Sequence, residues 1–143
     1  MTRRLLSSTP DADLAFHLGP AGQVSLPVAD LARAEAFYGG VLNLFRLRRG
    51  PEAALYDCGE VRVALELAPN STMVRPASPI YFRVDDIARA RQELEARGVI
   101  FTEPTQLVSA LRQADVWIAP FTDPDGHRLA LMMEGPKGIA PRP

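Results

Sequence analysis

The stretches LPVADLARAE and FRVDDIARAR stand 56 positions apart, with Asp30 and Asp86 at the same place in each. A chain that writes one strand-to-helix junction twice is constrained to build one unit twice. The first copy opens on GQVSLPV, where Val24, Leu26 and Val28 alternate with Gln23, Ser25 and Pro27. That period of two puts the apolar side chains on one face of a strand. Pro27 has no N–H to give to a ladder, so it belongs at an edge or faces away from a neighbour. Asp30 is the helix N-cap, its carboxylate set to accept from the orphan N–H groups of the first turn. A helix is expected from Leu31 to about Leu42, because Leu31, Ala34, Phe37, Tyr38, Val41 and Leu42 recur at three- and four-residue spacing. Asn43 is its left-handed terminator. Three short strands follow in LFRLRR, AALYDC and VRVALELA.

The second copy repeats this order. PIYFRV reads as a strand, Asp86 as an N-cap, and IARARQELEARG as a helix with Ile87, Ala90 and Leu94 inward and Gly98 at its end. VIFTEP, DVWIAPFTDP and HRLALMME supply three strands, with DPDG as the turn between the last two. The same offset pairs Val28 with Val84, Ala32 with Ala88 and Phe45 with Phe101. Common N-cap chemistry would explain one such match, but not a shared register through strand, cap and helix followed twice by three strands. The fold class expected is α+β, two tandem βαβββ modules over residues 22–75 and 76–136, behind an N-terminal arm (1–21) and before a C-terminal tail (137–143).

With 16 basic and 17 acidic residues and a net charge of −1, no electrostatic footprint for nucleic acid or an anionic membrane exists, so neither is an expected partner. Cys58 is the sole cysteine and forms neither an internal disulfide nor a cysteine-rich metal site, as suits a reducing compartment. No apolar run approaches the roughly 20 residues that span a bilayer, and the polar start before Pro10 is too short for a signal peptide. A soluble, cytoplasmic protein is expected. No glycine-rich phosphate loop, serine-centred elbow or paired-histidine helix is present.

Two phrases, VADLARAEAFYGGVLNL and FTDPDGHRLALM, resemble the vicinal oxygen chelate superfamily, which includes glyoxalase I, bleomycin-resistance proteins and extradiol dioxygenases. The resemblance covers roughly Gly22 to Glu134. It implies sheets curled around a cleft that a second subunit often completes, hence a homodimer, and a small organic molecule as the partner in the cleft. Metal-using members place four ligands on the first and last strands of the two modules. Carried over, those places hold Gln23, Glu66, Pro79 and Ala130, the last counted four residues on from Gly126. Pro79 and Ala130 have no donor atom on the side chain. A catalytic divalent site needs three or four protein ligands, so Gln23 and Glu66 alone make a weak one.

The expectation is therefore no cofactor, with a small molecule sequestered or handled without metal. The alternative is a divalent ion (Zn, Ni, Mn or Fe) held by Gln23, Glu66 and an unexpected partner such as His17, serving a lyase, isomerase or dioxygenase. Glyoxalase I activity itself is not expected, because without a metal an isomerase lacks its main electrostatic stabilisation. A non-catalytic regulatory or scaffold subunit is the remaining reading. Glu66 is the candidate general base, provided an apolar cleft surrounds it. Tyr56, Tyr81, Arg83 and Trp117 are candidate ligand-binding residues beside Gln23 and Glu66. Tyr81 and Arg83 share the strand parity of Pro79, Arg83 suits an anion, and Trp117 and Tyr56 offer flat stacking surfaces. His127, following Gly126, is expected to face solvent from the turn.

Overall fold

A computed structural model of the chain describes residues 16–68, 79–110 and 112–142. The expected module boundary between residues 75 and 76 and most of the N-terminal arm lie outside the described residues. The elements run β1 (Gln23–Val28), α1 (Leu31–Glu35) continuing as a π-helical turn (Ala36–Val41), β2 (Phe45–Arg49), β3 (Ala53–Cys58), β4 (Val61–Leu67), β5 (Ile80–Arg83), α2 (Ile87–Ala96), β6 (Gln106–Ala110), β7 (Ala114–Thr122) and β8 (Arg128–Pro136). They form two four-stranded sheets with orders β1-β4-β3-β2 and β5-β8-β7-β6. In each the first strand runs parallel to the last, while the remaining pairs are antiparallel. One βαβββ unit is thus built twice.

The two junctions are alike in detail. The Asp30 carboxylate accepts from Arg33 N at 3.0 Å and that of Asp86 from Arg89 N at 3.1 Å, the N-cap bonds foreseen from sequence. Asn43 takes a φ of 61° and Gly98 a φ of 97°, the left-handed ends of the two helices.

Two expectations change. The first helix keeps α geometry only to Glu35 and then widens, with Leu42 N donating to Phe37 O at 2.8 Å across five residues. Gly39 and Gly40 weaken the α form here, and the Tyr56 ring lies against Gly39, where a Cβ would come within 3.3 Å of it. In the second module VIFTEP is not a strand. Val99 is buried and Phe101 packs against Phe121 at 5.2 Å with the Arg91 guanidinium over its ring, so the stretch anchors a loop. The strand lies further on at β6, which is the counterpart of β2, since each has a one-residue irregularity, after Arg46 in one and after Leu107 in the other. Phe101 is therefore not the equivalent of Phe45.

The core gathers the helix-facing side of both sheets. Val28, Tyr38, Tyr56, Val63, Leu65, Ile87 and Leu129 are nearly inaccessible to water, each worth roughly 1.5–3 kcal/mol of burial for the larger aliphatic and aromatic side chains. A polar seam also joins the modules. The Tyr38 hydroxyl donates to Asp123 Oδ2 at 2.7 Å, and Asp125 Oδ1 accepts from Ala29 N and Arg33 Nη2 at 3.0 Å each. Arg97 Nη1 donates to the Val41 carbonyl at 2.9 Å. Among the described residues no helix is long and apolar enough to cross a membrane.

Candidate functional site

Strand parity leaves the opposite faces of both sheets uncovered by helices, and each carries a hollow. In the first module a hollow of about 380 Å³ lies over β1, β3 and β4, with Gln23, Arg48, Leu55, Ala64 and Glu66 among its walls. In the second a hollow of about 360 Å³ lies over β5, β7 and β8, with Pro79, Tyr81, Ile118, Pro120, Arg128 and Ala130 around it. Each is walled by residues of one module only, and each is open to solvent.

Four of the sequence-predicted positions, Gln23, Glu66, Pro79 and Ala130, are thus brought to these faces, together with Tyr81. Their relative placement revises the equivalence drawn from sequence. In the first sheet Gln23 sits beside Arg62, Ser25 beside Ala64 and Pro27 beside Glu66. In the second, Ile80 sits beside Leu129, Tyr81 beside Ala130 and Arg83 beside Met132. Superposing the two capping aspartates makes Ser25 the counterpart of Tyr81, so Ala64 is the counterpart of Ala130 and Glu66 of Met132. Glu66 lies four strand residues beyond the level of Gln23, about 13 Å along the sheet. Side chains stand roughly perpendicular to a sheet, so these two do not converge on one point. Gln23 Nε2 instead donates to Ser25 Oγ at 3.3 Å.

The donor set fails the requirements of a divalent ion on chemistry as well. Among the described residues no three His, Cys, Asp or Glu side chains cluster to hold one. His17, the partner suggested for the metal reading, is exposed, bonds through Nδ1 to the neighbouring Leu18 carbonyl at 3.1 Å and lines neither hollow. Glu66 is exposed as well, so it lacks the apolar enclosure that the general-base reading requires.

The remaining candidates separate. Arg83 shares the parity of Tyr81, but its guanidinium pairs with Glu134 at 3.4 Å, two residues along β8 from its strand neighbour. Tyr56 is corrected: it is 1% exposed and points to the helix side, under Gly39, because it alternates with the hollow-facing Leu55. Burial, and after it Glu35, raise its hydroxyl pKa. Trp117 is corrected likewise. It alternates with Ile118, is partly buried against the core, and lines instead a separate hollow of about 440 Å³ beside α2, and its indole N–H is buried with no acceptor among the described residues.

His127 is the third correction. It is 8% exposed, with Nδ1 2.7 Å from Asp123 Oδ2 and its backbone N donating to Asp123 Oδ1 at 2.8 Å. The turn folds inward because Asp123 gathers both of these bonds and the Tyr38 hydroxyl. Burial, then the Asp123 charge, push the Tyr38 phenol far above its ordinary range. Sequence spacing did not reveal this seam, since its members lie on separate modules. Cys58 is half-buried, and burial followed by Asp57 raises its thiol pKa, against a nucleophilic role.

Two hollow residues escaped the sequence reading, Arg48 and Arg128. Both were legible in principle from parity, Arg128 being two residues before Ala130 on the same face.

The comparisons agree with this architecture. Similar solved structures include an integron cassette protein from V. cholerae (21% identity, TM-score 0.69, 82% of this chain and 97% of that one). A glyoxalase-related enzyme from Fulvimarina pelagi shows 23% identity and a TM-score of 0.65, over 81% of this chain and 88% of the other. A lactoylglutathione lyase from Agrobacterium tumefaciens shows 18% identity and a TM-score of 0.64, over 81% and 94%. At such identities the likeness concerns the fold. No match was found among curated proteins. The family profile described as Glyoxalase/Bleomycin resistance protein/Dioxygenase superfamily matches residues 21–131, and the chain, with its doubled βαβββ unit and its paired concave faces, belongs to that superfamily.

Proposed function

We propose that the protein binds a small organic molecule on the concave faces of its sheets without a complete metal site, and that it does so as a homodimer. The observation that carries this reading is the register: Ala64 and Ala130 stand at equivalent places on the last strand of each sheet, and Pro79 immediately precedes β5, whose Tyr81 lies beside Ala130. Where the superfamily's metal-using members have donor atoms, these hollows have small apolar surface. Such surface suits the body of an organic ligand, with a few polar groups fixing its orientation. Sequestration of a toxic compound, or handling of a metabolite by positioning alone, fits it.

The homodimer is supported by the incompleteness of each hollow and by the edge strands. Phe45 on β2 is 71% exposed, and Leu107 and Val108 on β6 are 49% exposed each. Exposed apolar residues on a sheet edge offer a surface that a second chain can cover. A single cysteine supports a cytoplasmic setting.

The test is a thermal-shift screen of small organic molecules on chelator-treated protein, since a ligand of the folded state raises the melting point by mass action. A rise is expected that the Ile118→Arg or Leu55→Arg variant, folded by circular dichroism, no longer gives. A rise seen only after stoichiometric metal is restored, or no rise with any compound, overturns the binding reading. Sedimentation of a monomer at tens of micromolar overturns the dimer.

A further inference from the structure

We infer that the hollow of the second module takes a planar organic anion, an aromatic carboxylate being the chemistry it fits, with Arg128 as the group that holds the charge. This rests on the small-molecule reading above and names the ligand class for one of its two hollows.

The floor supplies no polar side chain. Ala130 is 1% exposed, and Pro120 and Ile118 flank it on β7. The wall is aromatic, because Tyr81 lies directly beside Ala130 on β5 and is 46% exposed with its ring toward the hollow side. A flat ring resting on small apolar floor residues and offset against Tyr81 buries the most area for the least loss of freedom. At about 360 Å³ the space is within the range of small-molecule sites.

The mouth carries charge. Arg128 pairs in register with Thr122 where β7 and β8 meet, and both line the hollow. Six arginines are already answered, Arg33 by Asp125, Arg46 and Arg49 by Glu35, Arg83 by Glu134, Arg91 by Glu95 and Arg97 by Glu93, and of the others only Arg48 and Arg128 line a hollow on the open faces of the sheets. Arg128 has no carboxylate within ion-pair distance among the described residues. The carboxylate on the same rim, Glu103, accepts from Gln106 Nε2 at 2.8 Å. A guanidinium presents its donors in a planar fork that matches a carboxylate in two bonds. The first hollow differs, since Arg48 shares it with Glu52 and Glu66 and no aromatic ring lines it. An anion is disfavoured there.

The experiment is a titration of the full chain, followed by backbone amide NMR shifts, with benzoate and with its neutral isostere benzamide. Benzoate is expected to shift amides of residues 79–83 and 118–130 and to bind at least tenfold tighter than benzamide. Arg128→Gln should bring benzoate down to the benzamide level with the rest of the spectrum unchanged, while Tyr81→Ala weakens both. Equal binding of the two probes at this hollow, or a preference that survives in Arg128→Gln, overturns the inference and leaves the small-molecule reading standing. If neither probe moves these amides while other compounds do, the inference alone falls; if no compound does, both fall.

Discussion

Ala64 and Ala130 occupy one position seen twice, Ala64 beside Ser25 on the first sheet and Ala130 beside Tyr81 on the second. Both are nearly inaccessible, at 3% and 1%, and both lie on the face the helices leave open. Neither can donate to an ion. With Pro79, they leave Gln23 as the donor-bearing side chain among the corresponding places of the two modules.

That correspondence makes a constructive prediction. In the proposed homodimer, with the first hollow of one protomer closed by the second hollow of its partner, the triple variant Ala64→Glu, Pro79→His, Ala130→Glu, with Gln23 retained, brings two donors from each hollow together and should bind Zn²⁺ or Ni²⁺ stoichiometrically, as isothermal titration would show. The variant Glu66→Ala added to it should leave that affinity unchanged, because Glu66 corresponds to Met132 and lies elsewhere on the strand. Loss of binding on removing Glu66 would contradict the register assignment.

Tyr38 and Asp123 make the second prediction. Tyr38→Phe leaves a buried carboxylate one donor short, so stability at neutral pH should fall by about 1–3 kcal/mol, read from urea unfolding with an unchanged slope. A loss below about 0.5 kcal/mol would mean that the seam between modules does not depend on this bond.

The same residue fixes an alkaline response. Burial first, then Asp123, hold the folded phenol above its ordinary value of 10.0. Its contribution is fully present below that pH and is lost as pH rises past it, because the unfolded phenol ionises while the folded one keeps its proton. Stability should decline above pH 10 by about 1.4 kcal/mol per unit for this group, and Tyr38→Phe should show a correspondingly shallower decline. Identical alkaline slopes for the two proteins would refute it.

The fold was legible because its signals are local. Alternation in GQVSLPV, the capping aspartates and the left-handed Asn43 and Gly98 act within a few residues of themselves, and the structure shows each of them. The site was legible only in part, because it depends on register between strands distant in sequence. Glu66 stands in a phrase that matches the family pattern, but only the pairing of β1 with β4 reveals that Ala64 holds the equivalent place. Tyr56 and Trp117 were misplaced for a related reason: each is one residue from a hollow-facing neighbour, and one residue is the whole difference between two faces of a strand. His127 turned inward because its partner Asp123 also serves Tyr38 from the other module, a contact across 85 positions that no local pattern announces.

The proposed function rests on Ala64, Pro79 and Ala130 lacking donor atoms at three of the four corresponding places of the two modules. Calorimetric titration of chelator-treated wild-type protein with Zn²⁺, Ni²⁺, Mn²⁺ and Fe²⁺ tests it most directly. No stoichiometric site is expected at micromolar protein, and none sensitive to replacing Gln23 or Glu66 by alanine. A one-to-one site that weakens in either variant would contradict it.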